Sequence, residues 1–131
     1  LTSPTARSLE FLRKSGCIAC VVERWIPKAN IRKDAFGIGD ILAARRGEPG
    51  ALLVQSTTRA NLAARVAKAK QCGELKTWLA APGNRFECHG WECRAGRWKC
   101  HRVELKGEDL AAVVIEGQKR RPRRAKQREL F

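Results

Sequence analysis

Apolar residues recur at two different periods along this chain, and the switches between them outline an α/β domain. From Ala6 to Lys14 the run ARSLEFLRK puts Leu9, Leu12 and Phe11 on one helical flank. Ser3 or Thr5 is available to cap that helix and Ser15-Gly16 to end it. Cys17 to Ile26 (CIACVVERWI) is β-branched and aromatic, and reads as a strand that Pro27 stops. Asp40 opens a second apolar run, Ile41 to Ala44. Gly47, Pro49 and Gly50 make a turn, and Leu52-Leu53-Val54 leads into Gln55-Ser56-Thr57, which together read as a β-hairpin. A helical period returns over Arg59–Gln71 through Leu62, Ala63, Val66 and Ala69, with Ser56 or Thr58 as cap and Cys72-Gly73 as stop. Leu75 to Ala80 reads as a short strand or turn around Trp78. Phe86–Cys93 and Trp98–Leu105 read as the strands of a C-terminal β-hairpin joined by Arg94-Ala95-Gly96-Arg97, and Glu108-Asp109 can begin a short helix over Leu110–Ile115. The expected fold is a mixed sheet of about four or five strands flanked by helices, with the Asp40 and Gln55 strands central, spanning residues 1–116.

Polar residues interrupt this pattern at a few places where chemistry is expected. Side chains alternate across a strand, so Gln55 and Thr57 share a face, and the hairpin brings that face beside the start of the strand carrying Asp40. Glu23 sits in an otherwise apolar strand and needs a partner, either a metal ion or Arg24, Arg32 or Lys33. Asp34 lies in a basic connection, Ala29–Phe36, where local hydrogen bonds to the loop are its expected role, and it is also, with Glu10 and Glu23, a candidate for the further carboxylate that a metal beside Asp40 would need. Glu10 lies on a flank of the first helix, where it can serve as a helix-borne ligand or as an ordinary exposed glutamate.

The layout resembles the PD-(D/E)xK nuclease superfamily, with its restriction-endonuclease-like fold, and especially the Holliday-junction-resolvase and VRR-type branches. There a first helix carries Glu, the second strand begins with Asp, and the third strand carries Glu-x-Lys or Gln-x-Lys before a helix. The counterparts here are Glu10, Asp40, then Gln55 with Thr57, over roughly residues 5–105. The chain is also similar to small phage and bacterial proteins that share the Val22-Glu23-Arg24-Trp25-Ile26-Pro27 through Thr57 signature. The resemblance implies a Mg²⁺- or Mn²⁺-dependent endonuclease acting on branched DNA in recombination or repair, and a homodimer. In that reading Asp40, Gln55 and the carbonyl of Ser56 hold the metal, helped by Glu10 or Glu23, and Asp40, Gln55, Thr57 and Glu10 form the catalytic set. The pattern departs at Thr57, which cannot supply the cation that the family's lysine brings; Arg59, Lys68 or Lys70 are the substitutes at hand. A catalytically degenerate DNA-binding accessory protein of replication, repair or phage is the competing reading.

Charge supports a polyanionic partner. The 131-residue chain carries 27 basic and 13 acidic residues, a formal +14. Residues 119–131 (KRRPRRAKQRELF) hold seven basic residues and one acid, net +6, so the body is basic in its own right. Arg32 and Lys33 in the loop, and Arg59, Arg65, Lys68 and Lys70 on the second helix, are the expected DNA contacts. An RNA-associated protein fits the charge alone.

The stretch 117–131 reads as a flexible basic tail. Its last residues, Gln127-Arg128-Glu129-Leu130-Phe131, resemble the pentapeptide with which bacterial proteins dock on the sliding clamp, with Gln127, Leu130 and Phe131 as contacts. No apolar run approaches the ~20 residues that span a bilayer, and no signal peptide is read, so the expected location is the cytoplasm of a bacterial or phage-infected cell. Six cysteines include Cys17-x-x-Cys20, half of a zinc knuckle without a second Cys-x-x-Cys; most of the thiols are expected to be small buried hydrophobes rather than zinc ligands or disulfides.

Overall fold

The structure, a computed structural model, describes residues 2–110; the expected tail and terminal pentapeptide, and all but the first residue of the helix expected over Leu110–Ile115, lie outside the described residues. Helix α1 (Pro4–Lys14) starts where Ser3 accepts a hydrogen bond from the Ala6 N–H at 3.1 Å, with Pro4 in the first turn. Strands β1 (Cys17–Val21), β4 (Ile41–Arg45), β5 (Leu52–Thr58), β6 (Arg85–Arg94) and β7 (Arg97–Leu105) form one sheet in the order β1-β4-β5-β6-β7. Neighbours are antiparallel except β5 and β6, so the sheet is mixed. A parallel pair needs a crossover. Here α2 (Arg59–Lys70) and α3 (Gly73–Ala80) supply it.

Alternation along β5 divides the interior into two cores, one on each face of the sheet. Leu53 packs with Ile38, Leu62, Leu75, Phe86, Cys88 and Leu105 beneath α2 and α3. Val54 packs with Leu12, Ile41 and Ala43 beneath α1. Each fully buried Leu, Ile or Phe contributes about 1.5–3 kcal/mol. Close approach of α2 to the sheet is possible at Gly90, where an added Cβ would stand 3.0 Å from Leu62 and 3.2 Å from the Arg59 backbone.

Two expectations are corrected. Cys17–Ile26 is not one strand: β1 ends at Val21, and β2 (Arg24–Ile26) pairs instead with β3 (Ile31–Lys33) in a separate two-stranded ribbon. The Val22 N–H donates to the Asp40 carbonyl at 2.8 Å, the last bond that β1 can make because β4 begins at Ile41. Beyond it no sheet strand among the described residues pairs with the chain, which folds on itself, turning at Pro27–Asn30 with Asn30 at φ 55°. Gly73–Ala80 is a helix, not a strand or turn. Leu75 is fully buried and the Trp78 indole donates to the Arg85 carbonyl at 2.8 Å, so the apolar residues of this segment serve α3 packing on the sheet end.

Between β6 and β7 the two-residue turn uses Ala95 (φ 51°) and Gly96 (φ 77°), the left-handed geometry that suits strand twist. A 3₁₀ turn at Gly107–Asp109 brings Leu110 into the first core. No helix among the described residues is long and apolar enough to cross a membrane.

Candidate metal centre

Asp40 is fixed by its backbone before its side chain does anything. Its N–H donates to the Val54 carbonyl of β5 at 2.8 Å, while its own carbonyl accepts from Val22 at the end of β1. The preceding loop is a tight turn closed by the Gly39 N–H on the Ala35 carbonyl at 3.0 Å and the Ala35 N–H on the Gly39 carbonyl at 2.8 Å. Phe36 and Gly37 take left-handed conformations at φ 57° and 77°. Ile38 anchors the loop in the core, and Gly39 lies against Leu53 so closely that any Cβ would overlap that side chain. The result is that Asp34, at one end of the loop, returns beside Asp40 at the other.

The Asp40 carboxylate is 5 % exposed. Its Oδ2 accepts from the Ser56 N–H at 2.8 Å and from Gln55 Nε2 at 3.0 Å. One carboxylate oxygen from each of Glu23, Asp34 and Asp40 lies within 4.8 Å of the others. Among the described residues, this is the one group of three or more His, Cys, Asp or Glu side chains spaced to hold an ion. Burial pushes the Asp40 carboxyl up to about 7. The Ser56 N–H works against this, and Asp34 and then Glu23 add to it through their negative charge. Negative charge is therefore concentrated here without a compensating cation at Asp40 itself.

Several expected participants are placed elsewhere. Glu10 is exposed and pairs with Lys14 at 3.4 Å on α1, which covers the opposite sheet face from Gln55, so it cannot join Asp40. The break after β1 releases Glu23 from the sheet. It pairs with Arg32 at 3.4 Å, one of the partners expected for it, and its carboxylate also lies in the acidic group with Asp34 and Asp40. Asp34 is more than a loop stabiliser; it is a member of the group. Ser56 meets Asp40 through its N–H, and its hydroxyl points to the other face, donating to the Pro4 carbonyl at 2.8 Å. Thr57 is buried on the Gln55 face. Arg59 is drawn away by Glu92 at 3.7 Å and by the His101 ring. Lys68, Lys70, Arg32 and Lys33 are exposed.

Arg65 is half-buried. Burial pushes the Cys88 thiol up to about 12, with Arg65 opposing and Asp40 reinforcing the shift. Cys88 is the register partner of Gln55, so the charges of Arg65 and Asp40 are both felt beside that glutamine.

The other sheet face carries a polar network that the sequence did not disclose. Ser8, buried under α1, is 2.8 Å from the Ser56 hydroxyl and 2.9 Å from His89 Nδ1, and it accepts from the Trp91 indole at 2.9 Å. His89 Nε2 lies 3.0 Å from Glu87. Burial opposes ionisation of Glu87, but the His89 hydrogen bond and charge, with Arg102 and Arg85, hold it below its ordinary value. Ser8 and His89 are fully enclosed, so this network joins α1 to the sheet rather than facing a substrate. A cavity of about 370 Å³ beside it, lined by Arg45, Glu48, Arg85, Glu87 and Arg102, lies toward the far end of β4 from Asp40.

No protein-family model, curated protein or solved structure matches this chain.

Proposed function

We propose that the protein is a divalent-metal-dependent endodeoxyribonuclease of the PD-(D/E)xK type, acting on branched or otherwise structured DNA as Holliday-junction resolvases do. The observation that carries the reading is the convergence of Glu23, Asp34 and Asp40 within 4.8 Å, with Gln55 hydrogen-bonded to Asp40 at 3.0 Å, where the start of β4 meets the middle of β5. The restriction-endonuclease-like topology belongs to the same proposal. It is supported by the order helix, antiparallel strands, crossover helix, parallel strand.

The donor set fits a hard cation. Three carboxylates offer oxygen ligands, which suit Mg²⁺ or Mn²⁺; Gln55 turns its Nε2 to Asp40 and would ligate only through its remaining amide oxygen. Burial first, and then the charges of Asp34 and Glu23, raise Asp40, and a cation held among the three carboxylates would offset both. A divalent ion held there supplies an activated water and stabilises charge on the scissile phosphate. The chain's own residues do the rest. Gln55 and the Ser56 N–H orient the Asp40 carboxylate. Lys68 and Lys70 on α2, with Arg32 and Lys33 on the β2–β3 ribbon, offer exposed positive charge to the phosphate backbone. Arg65 is the candidate for the cation that Thr57 does not supply.

A second reading has a specific observation in its favour: with Thr57 buried and Arg59 engaged by Glu92, a cleaving site of this family would lack its usual lysine, as a binding-only accessory protein would. Incubation of linear, forked and four-way DNA with Mg²⁺ or Mn²⁺ separates the two. Cleavage by the wild type that Asp40→Ala abolishes while binding persists supports the nuclease; binding without cleavage under either metal supports the accessory protein.

A further inference from the structure

Trp98 stands on β7, one residue beyond the turn from β6, with Cys93 as its register partner. That places it on the α1 face of the sheet, the face opposite the Asp40 carboxylate; because Asp40 lies level with Gln55, Cys88 and Val103, Trp98 is three strands across (about 15 Å) and five residues along (about 17 Å) from it. Arg7 of α1 lays its guanidinium over the indole, Cζ 3.5 Å from the ring centroid. Two features set this pair apart from ordinary packing. Arg7 has no ion-pair partner among the described residues, and its Nε is buried without an acceptor. Trp98 stays 48 % exposed although Arg7 covers one of its faces, whereas the neighbouring Trp91 is 9 % exposed and spends its N–H on Ser8.

An indole stiffened from behind by a cation, with its remaining surface open, is a platform for a flat π-system. A guanidinium lacking a counter-ion beside it suits a phosphate. The exposed tip cations Arg94, Arg97 and Lys99 alternate onto the opposite sheet face, and Arg94 pairs with Glu92 at 3.5 Å, so Arg7 is the cation beside the indole. Nucleobase and phosphate occur together in a nucleotide, and only an unpaired one has a free face to present. From Thr58, the last β5 residue, paired with Trp91, the tip projects three residues further to Arg94, about 10 Å. It thus extends past the end of the sheet that bears Asp40.

We propose that Trp98 and Arg7 form a stacking site for an unpaired nucleotide in the single-stranded arm of a branched DNA. The site deepens the DNA reading above and rests on it. A strand leaving a branch point near Asp40 passes over the sheet end to reach the indole, while a blunt duplex does not engage it.

The test is equilibrium binding without divalent metal, so that cleavage plays no part, of a blunt DNA duplex and of the same duplex bearing an oligo-dT arm. Wild type should prefer the armed DNA. Trp98→Ala should weaken armed-DNA binding roughly tenfold or more and leave blunt-duplex binding unchanged, Trp98→Phe should retain most of the preference, and Arg7→Ala should reduce it. Melting curves of each variant confirm that the fold persists. Equal armed and blunt affinities in the wild type, or a Trp98→Ala preference equal to wild type, would overturn the stacking site while leaving duplex binding intact; absence of any DNA binding would overturn the DNA reading itself.

Discussion

Replacing Asp40 by Asn should stabilise the metal-free protein in alkaline solution, the opposite of what loss of a buried hydrogen-bonded group normally does. Asp40 is raised from 3.8 to about 7 by burial and by Asp34 and Glu23, so the folded chain holds its proton more tightly than the unfolded chain. For a group raised on folding, the stabilising contribution is complete below 3.8 and is lost as pH climbs to about 7. At about 1.4 kcal/mol per pH unit, the loss by pH 8 reaches about 4 kcal/mol. Asn resembles the protonated acid: its Oδ1 can still accept from the Ser56 N–H and Gln55 Nε2, and its amide can donate to the remaining carboxylates. Urea unfolding in the presence of a chelator should therefore find Asp40→Asn and wild type about equal near pH 4, and the variant more stable by up to about 4 kcal/mol at pH 8. A variant less stable than wild type at pH 8, or a difference that does not grow between pH 5 and 8, would refute the argument that uncompensated negative charge gathers at Asp40.

Two other substitutions probe the scaffold. Gly39→Ala forces a Cβ into the Leu53 side chain, so it should cost about 1–3 kcal/mol in chemical denaturation and weaken divalent-ion binding, because the displaced backbone carries Asp40. Ser8→Ala leaves the Trp91 indole N–H and His89 Nδ1 without their shared partner, at about 1–3 kcal/mol for each group left unpaired; a melting temperature like that of wild type would show the network to be dispensable.

Local patterns made some of this architecture readable. The β4–β5 pair and α2 are written in short-range signals: alternation over Leu52–Thr57, glycines at the turn, and a helical period through Leu62, Val66 and Ala69. These signals also align Gln55 with Asp40. What depended on the neighbourhood was hidden. Whether Val22 and Glu23 continue a strand is decided by where β4 begins, and whether Glu10 reaches the acids is decided by which sheet face α1 covers. Asp34 joined the group through a left-handed turn at Phe36, a conformation no propensity assigns to phenylalanine. The Ser8, Ser56 and His89 hydrogen bonds span 48 and 81 residues of sequence, so no local window contains them.

The central claim is that Glu23, Asp34 and Asp40 hold one divalent cation, and titration of the chelator-treated protein with Mn²⁺, followed by electron paramagnetic resonance, tests it most directly. The account requires one saturable site in the wild type that tightens as pH rises through about 7 and is lost or greatly weakened in Asp40→Asn and Asp34→Asn. Binding that is unsaturable, or that is the same in wild type and Asp40→Asn, would contradict it.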